Sequence, residues 1–545
     1  MPQGTSILRL TKIAAAAWAL SAAVVATASA ADEKLGTIIP TMTMVYYAPD
    51  AGQDYQQSAR VLAEAFEKLG LDIKMTPLQQ STMVARISIG KGLEDLALGS
   101  WGGDPDRMDP NFWVLSLTAC NERRNAVKWC DEEYTKIAQD QARTMDQEKR
   151  RALVWKLQEI AHEKAPWWLV SHRMQGILYN SDRWDNIKSS EPVPPHETVV
   201  EPWLKMRPKG DDRIVDWAYY EDVSTYNPLA EQTSQGWIRF VYDSYLRTEG
   251  SKIVPWAVTS WKTVDDTTVE LKLRDGMTFH DDKPVTADDA VFSINLMVKL
   301  KPPPLANGLV GISGAEKVDN LTFRIKLSQP NPAIGRQLTA LTILPKHIWE
   351  KVEDPLRWDP IANKGVIGSG PFAFVRWDRN QAHVLRTHKK HWAAPAYDGL
   401  RRLSLGQADA IRAAMLDGAA DVATSTLPVA TQKELAENNK HLGFMPVKTF
   451  TSTTVWVNHT KAPFNDLAFR KALRSATDRE RVALEGWLGF ADPAAEGIVP
   501  AILGDWHNPN LKKIPFDIAK ARQTLKEAGY GWDSNGRLHF PPGKP

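Results

Sequence analysis

Cysteine is nearly absent from this chain, with two thiols, Cys120 and Cys130, in 545 residues. That scarcity excludes a disulfide-built scaffold. Two thiols with no histidine nearby at ligand spacing also make a poor zinc cage. In an oxidising compartment so close a pair reads as a disulfide stapling a small loop. Long apolar runs are missing too. Beyond residue 30 no segment approaches the roughly 20 apolar residues that a membrane span takes, so no stable insertion is expected. Net charge is small: 67 Lys and Arg stand against 65 Asp and Glu. The excess of +2 equals Arg9 plus Lys12, which lie in a first 30 residues without an acid. The remainder is near neutral, which argues against nucleic acid as a partner, since that binding draws on a concentrated basic face. There is no short-period repeat and no low-complexity tract.

What is present is an ordinary globular composition, 43% hydrophobic and 24% charged, in a chain long enough for two or three domains. Arg9 and Lys12, the apolar stretch Ile13 to Ala26, and Ala28-Ser29-Ala30 follow the order of a secretory signal. The expectation is export to the periplasm with cleavage after Ala30, an uncleaved anchor being the alternative.

From Thr41 the text is α/β. Thr41 to Tyr47 reads as a strand; Val61, Leu62, Ala65, Phe66 and Leu69 recur at helical spacing and stop at Gly70. Leu71 to Met75 alternates as a strand, a helix follows near Met83 to Ile89, and Leu93 to Leu98 makes a buried strand. This β-α-β-α-β order predicts a parallel sheet covered by helices. Its last strand leads into Gly99-Ser100-Trp101-Gly102-Gly103-Asp104-Pro105, and ligands of open α/β sheets bind where loops leave the carboxyl ends of strands. Asp146 to Lys164 predicts a long helix stopped by Pro166, and Trp167 to Val170 a strand. The polar stretch Ser189 to Arg213 reads as a linker. Strands then recur at Ile214 to Tyr220, Thr268 to Leu273 and Leu321 to Leu327, and helices at Leu467 to Leu473 and Ile518 to Ala528.

Motifs for catalysis are wanting. Gly368-Ser369-Gly370-Pro371 looks like a phosphate loop, but proline removes a donor where a helix should begin, and a third glycine is missing. Asp104-Pro105-Asp106-Arg107-Met108-Asp109 lacks the central glycine and distal glutamate of a calcium loop. His280-Asp281-Asp282 and His162-Glu163 read as solvated surface groups. An enzyme would need a nucleophile with a base in reach, or a metal triad, and neither motif is found. No cofactor is called for.

From Ile253 onward an ordered set of short motifs stands out. It comprises Ile253-Val254-Pro255-Trp256-Ala257, Leu273-Arg274-Asp275-Gly276-Met277-Thr278-Phe279-His280-Asp281, Pro284 to Phe292, Gly368 to Phe372, Pro463 to Asp466 with Arg470 to Leu473, and Glu527 to Tyr530. In these the chain resembles the family 5 (peptide/nickel-type) extracellular solute-binding proteins that feed ABC importers. The resemblance implies an α/β, two-lobed periplasmic binding protein fold, type II and cluster C-like, with ABC importer permease subunits as partners. Pieces that follow the last motif in the family look here like residues 41 to about 190, placed in front. The order therefore reads as a circular permutation, with a rearranged or truncated non-functional gene product as the alternative. The implied lobes are 31–163 with 458–545, and 164–205 with 214–457, joined through 206–213 and crossed near Pro166 to Met174 and Phe450 to Val457.

The resemblance also implies a site. Trp101-Gly102-Gly103-Asp104 matches a Trp-x-x-Asp segment whose carboxylate holds a peptide ligand's α-ammonium, and Asp106 and Asp109 are competing acids. Gly102 and Gly103 would offer backbone groups, and Glu221, Asp222, Val223 and Ser224 would line the facing lobe. Dipeptide-binding relatives carry an arginine after the first strand; this chain has Ala48-Pro49-Asp50 there. The small solute expected is thus an oligopeptide or an amine-bearing ligand such as an opine, with oligosaccharides or nickel complexes as alternatives. The 21 tryptophans could stack on sugars but are spread along the chain, as core residues would be.

Overall fold

Two long strands, Trp167–Asn180 and Leu442–Val457, run antiparallel through the middle of the molecule. The computed structural model describes residues 35–48, 55–88, 92–101, 105–189, 200–231, 235–250, 252–424 and 427–544. In chain order the strands of its main sheet are β1 Met42–Tyr47, β2 Ile73–Leu78, β3 Leu96–Trp101, β4 Trp167–Asn180, β5 Ile214–Tyr219 and β6 Phe372–Asp378. They continue with β7 Ala382–Thr387, β8 Gly399–Ser404, β9 Val422–Thr424, β10 Leu442–Val457 and β11 Ala491–Pro493. Their spatial order is β6-β7-β8-β5-β9-β4-β10-β3-β1-β2, with β11 pairing β4 off that path. β1 is parallel to β2 and β3, and β5 is parallel to β8 and β9. A parallel set, β3-β1-β2, and a mixed set, in which β6-β7-β8 pair antiparallel and β8-β5-β9 parallel, therefore flank one antiparallel pair.

Helices α1 Tyr55–Glu67 and α2 Gln80–Ser88 cross between β1, β2 and β3. Tyr55, Ala59, Leu62, Ala63 and Phe66 make one buried face of α1, the stripe that the sequence spacing foretells. Gly70 ends the segment at φ +88°, and a Cβ there would stand 2.3 Å from the Gly536 carbonyl oxygen, so no other residue fits. Helix α3, Gln147–Lys164, begins on the Asp146 carboxylate, which accepts from the N–H groups of Glu148 and Lys149 at 3.0 Å.

The apolar side chains gather in two large cores. One unites Met44, Val45, Phe66, Leu98, Trp113 and Trp167 with Val455, Phe469, Leu525 and Leu538. The other runs from Ile177 through Trp217, Phe240, Leu271 and Phe323 to Val447, bordered by a four-stranded antiparallel sheet, and a small third cluster holds Leu178, Ile411 and Leu442. β4 and β10 contribute to all of them.

Polar contacts bind the early and late parts of the first core. Helix α4, Leu467–Ser475, sends Arg470 to the carbonyls of Lys164 and Ala165 (3.0 and 3.2 Å) and Arg474 to that of His162 (2.6 Å). Both cations thus sit on the negative end of α3. Burial pushes both guanidinium groups down to about 10. Arg479 Nε donates to the Leu169 carbonyl (3.0 Å), and β11 pairs with Ser171 to Arg173 of β4. The Cys120 and Cys130 sulfurs stand 2.07 Å apart.

Several sequence expectations need revision. The strand expected at Trp167 to Val170 continues to Asn180. Within the expected linker, Trp203 is buried with its ring centroid 4.3 Å from that of Trp217, and Arg207–Pro208 pairs with Trp184–Asp185. His162 and His280 are not solvated. His162 is buried near Glu496, while Glu163 stays exposed. His280 takes the Gly368 N–H on Nδ1 (3.2 Å), and its Nε2 bonds the Gly370 carbonyl (3.0 Å). It thereby pins the glycine turn, where a Cβ on Gly368 would meet the Val241 oxygen at 2.0 Å. Local polarity suggested exposure at both histidines; close backbone packing reversed it. The secretory signal lies outside the described residues.

Burial pushes His172, His280, His383 and His459 down to about 4. The unfolded chain then binds more protons between about pH 4 and the ordinary value near 6.5, so their stabilising effect is whole above 6.5 and lost as pH falls. Urea midpoints measured from pH 7 to pH 4.5 should fall steadily; a flat profile would contradict buried neutral imidazoles.

Candidate functional site

The carboxyl ends of β1 and β3 lie side by side, because Tyr46 pairs with Leu98 in the parallel ladder. Open α/β sheets bind ligands at such ends. Trp101 closes β3 and faces Ser452 of β10, which on its other side faces His172 of β4. Strand ends of the first core therefore meet the long pair in one row. The Trp101 ring is buried edge-on against Phe112 (5.3 Å) and Trp456 (6.1 Å), with the Arg107 guanidinium 5.4 Å above it. Trp101 is thus fixed at the end of β3.

That loop's Gly102, Gly103 and Asp104 lie outside the described residues, as do Pro49 and Asp50. The chain resumes in the single turn Pro105–Met108. Asp109 is spoken for: Arg150 grips both its oxygens (2.6 and 3.1 Å) and the Asn111 N–H donates at 2.8 Å. Burial raises its pKa, yet these contacts outweigh burial and hold the carboxyl below the usual carboxylate range. Asp109 therefore serves the fold.

Beside the long pair the ladder breaks. Lys448 pairs with Met174 and Ser452 with His172, leaving Thr449 to Thr451 out of register. The Thr449 hydroxyl donates to the Arg173 carbonyl (2.7 Å) and accepts from the Thr451 N–H (3.1 Å), so the irregularity is satisfied locally. A second bridge between the cores is made by side chains. Arg336 Nη1 lies 3.6 Å from Met108 Sδ, and the same guanidinium acts on Asp109.

On the other core, Glu221 to Ser224 follow the carboxyl end of β5. They fall in a different core from Trp101. The Glu221 carbonyl accepts from Arg402 (3.0 Å). Val223 is buried, and the Ser224 N–H and hydroxyl both donate to Glu231 at 2.8 Å. Asp222 turns inward, accepting from Trp377 Nε1 (3.0 Å) and the Asn380 N–H (2.7 Å) and pairing with His383. Burial raises its carboxyl, but the Asn380 N–H, His383 and Trp377 together hold it low. The exposed group at this strand end is Tyr220, stacked on Tyr219, whose ring lies 4.0 Å from the Arg402 guanidinium carbon. Sequence reading passed over Tyr47, Tyr55, Arg173, Tyr219, Tyr220, Arg402 and Trp487. The usable signal was position, since Tyr47 and Tyr219 end parallel strands.

Comparison with known proteins now identifies the class. Residues 252–544 match the model of the bacterial extracellular solute-binding proteins, family 5, and the chain belongs to that family. It is 28% identical over 282 residues to the oligopeptide-binding protein AppA of Bacillus subtilis, covering 49% of either chain. It is 28% identical over 276 residues to the glutathione-binding protein GsiB of Escherichia coli K12, covering 49% of this chain and 51% of that one. The chain thus spans about half the length of these curated relatives. Among solved structures it is similar to Campylobacter jejuni NikZ in complex with Ni(L-His), at 21% identity and TM-score 0.46 over 61% of this chain and 66% of that one. No helix among the described residues is long and apolar enough to cross a membrane.

Asp222 provides a test of whether its loop is structural. Asp222→Ala strips the acceptor from Trp377, His383 and Asn380, and should destabilise the fold by about 2–4 kcal/mol. An unchanged melting temperature would contradict that role.

Proposed function

We propose that this protein is the periplasmic substrate-binding component of an ABC importer, holding an oligopeptide or related amine-bearing solute between two closing lobes. The observation that carries this reading is the convergence of two half-sheets, each with parallel strands whose ends flank a shared antiparallel pair that is broken in register at its middle. A break in two crossing strands is where two bodies can turn against each other. A solute touching both bodies favours the closed form by its differential affinity, and the permease subunits can read that shape. The chemistry is binding rather than turnover. In this reading the lobes are 31–163 with 458–545 and 164–205 with 214–457, and residues 206–213 join the segments.

Trp101 positions the loop whose Asp104 carboxylate takes the ligand's ammonium by a charge-assisted hydrogen bond, and Gly102 and Gly103 lend backbone groups. Glu221 and Ser224 border the opposite strand end. Export with cleavage after Ala30 and a Cys120–Cys130 disulfide fit an oxidising compartment.

The segment order is a circular permutation in this proposal. Support comes from the packing of Ile39 to Val170 against Phe464 to Phe540 in one core. It comes also from the proximity of Gly36 to Phe540 and Ile39 to Leu538, whose backbones bond at 3.1 and 3.0 Å. A join between chain ends that already lie side by side leaves packed contacts intact. A reordered chain opened at 206–213 and joined between those ends should melt cooperatively and respond to the same ligand; failure to fold would count against the permutation.

Mass spectrometry of the solute retained by purified protein tests the function itself, with oligosaccharide or a nickel complex as the opposing outcomes. With a tetrapeptide library, saturation at a hundred times Kd should add about 2.7 kcal/mol of stability. Asp104→Asn should weaken peptide binding at least tenfold without lowering the ligand-free melting temperature; unchanged affinity removes Asp104 from the site. Loss of both cysteines should cost about 2–3 kcal/mol, from the loop of roughly ten residues they close.

A further inference from the structure

One cation at the end of β1 and β3 stands apart from the acids among the described residues. Arg173 lies on β4 at the register break, its backbone held by Thr449 on one side and by Ala491 of β11 on the other. Its guanidinium carbon is 4.8 Å from the Trp487 ring centroid and 5.2 Å from that of Tyr55. The Nε is buried without a hydrogen-bond partner. Among the described residues no carboxylate lies within ion-pair distance of this side chain. Other arginines of the same core are committed elsewhere, Arg150 to Asp109 and Arg470, Arg474 and Arg479 to backbone carbonyls.

The walls around it are fixed. Tyr55 is hydrogen-bonded to Ser100, the residue before Trp101, and its ring packs 5.0 Å from Tyr47 and 5.1 Å from Trp487. Burial pushes the Tyr47 phenol up, and the Arg107 and Arg173 charges oppose that rise. Arg173 and three aromatic rings therefore gather beside the end of β3. A half-buried guanidinium flat on aromatic faces retains its planar, two-pronged donor edge, and that edge fits a carboxylate. Leaving it unpaired in a water-poor place is costly.

We propose that Arg173, walled by Tyr55 and Trp487, is an anion subsite of the cleft that takes a carboxylate of the bound solute and makes the protein selective for acidic over neutral ligands. This rests on the proposed solute-binding cleft and adds a chemical class to it. Because Arg173 sits at the break between the two bodies, filling the subsite also loads the segment about which they would turn.

The test compares two tetrapeptide libraries, free acids and carboxyl-terminal amides, with titrations of sodium acetate and succinate, each read by melting temperature and tryptophan fluorescence. Wild-type protein should bind the free acids at least tenfold more tightly than the amides. Succinate in the millimolar range should raise its melting temperature, and Arg173→Gln should abolish both effects while Arg173→Lys keeps part of them. Peptide binding without acid–amide discrimination, or discrimination that survives Arg173→Gln, overturns the anion subsite and leaves the peptide reading standing. A response to succinate with no peptide binding supports the subsite and overturns the peptide reading. Silence in every titration overturns both. If Arg173→Gln does not fold, the acid–amide ratio and succinate shift of the wild-type protein decide the matter.

Discussion

The pairing of β4 with β10 is the constraint on which the rest of the molecule depends. Each strand is half in one core and half in another, so every residue pair across them ties the two bodies together. Main-chain hydrogen bonds resist stretching but allow twist where the register slips, and here it slips between Lys448 and Ser452. The locally satisfied Thr449 to Thr451 segment lets the ladder break without leaving polar groups orphaned.

Around that pair, charge is placed by burial more than by surface attraction. Arginines of α4 serve as end caps for α3, and histidines such as His280 stay neutral because burial penalises their charged form. Acids that look ligand-ready in the text, Asp109 and Asp222, are consumed by Arg150 and by the Trp377–His383–Asn380 cluster. Arg173 is the contrasting case. Among the described residues its charge meets ring faces and no carboxylate, at a place where strand ends and a break in the ladder coincide.

Much of the architecture was legible early. Period-two and period-3.6 patterns foretold β1, α1, β2 and α2, and Gly70 marked the stop because no side chain fits there. The ordered motifs from Ile253 disclosed the family. The site was less legible. Position relative to strand ends pointed to Trp101, but nothing local told Asp222, which is buried in a hydrogen-bond cluster, from an acid facing a ligand. The same holds for His280 and Trp203, whose neighbours in sequence are polar and whose neighbours in space are not.

By itself the sequence determined which segments become helix or strand, that charge is nearly balanced, and which family's motifs the chain carries, because these depend on side chains a few positions apart. Tertiary structure alone decided that Trp167–Asn180 would cross both bodies beside Leu442–Val457, that Ile39 to Val170 would share a core with Phe464 to Phe540, and that Arg173 would rest on Tyr55 and Trp487. Those outcomes join residues hundreds of positions apart, and which distant faces meet is settled by packing and backbone pairing across the whole chain, about which a local pattern is silent.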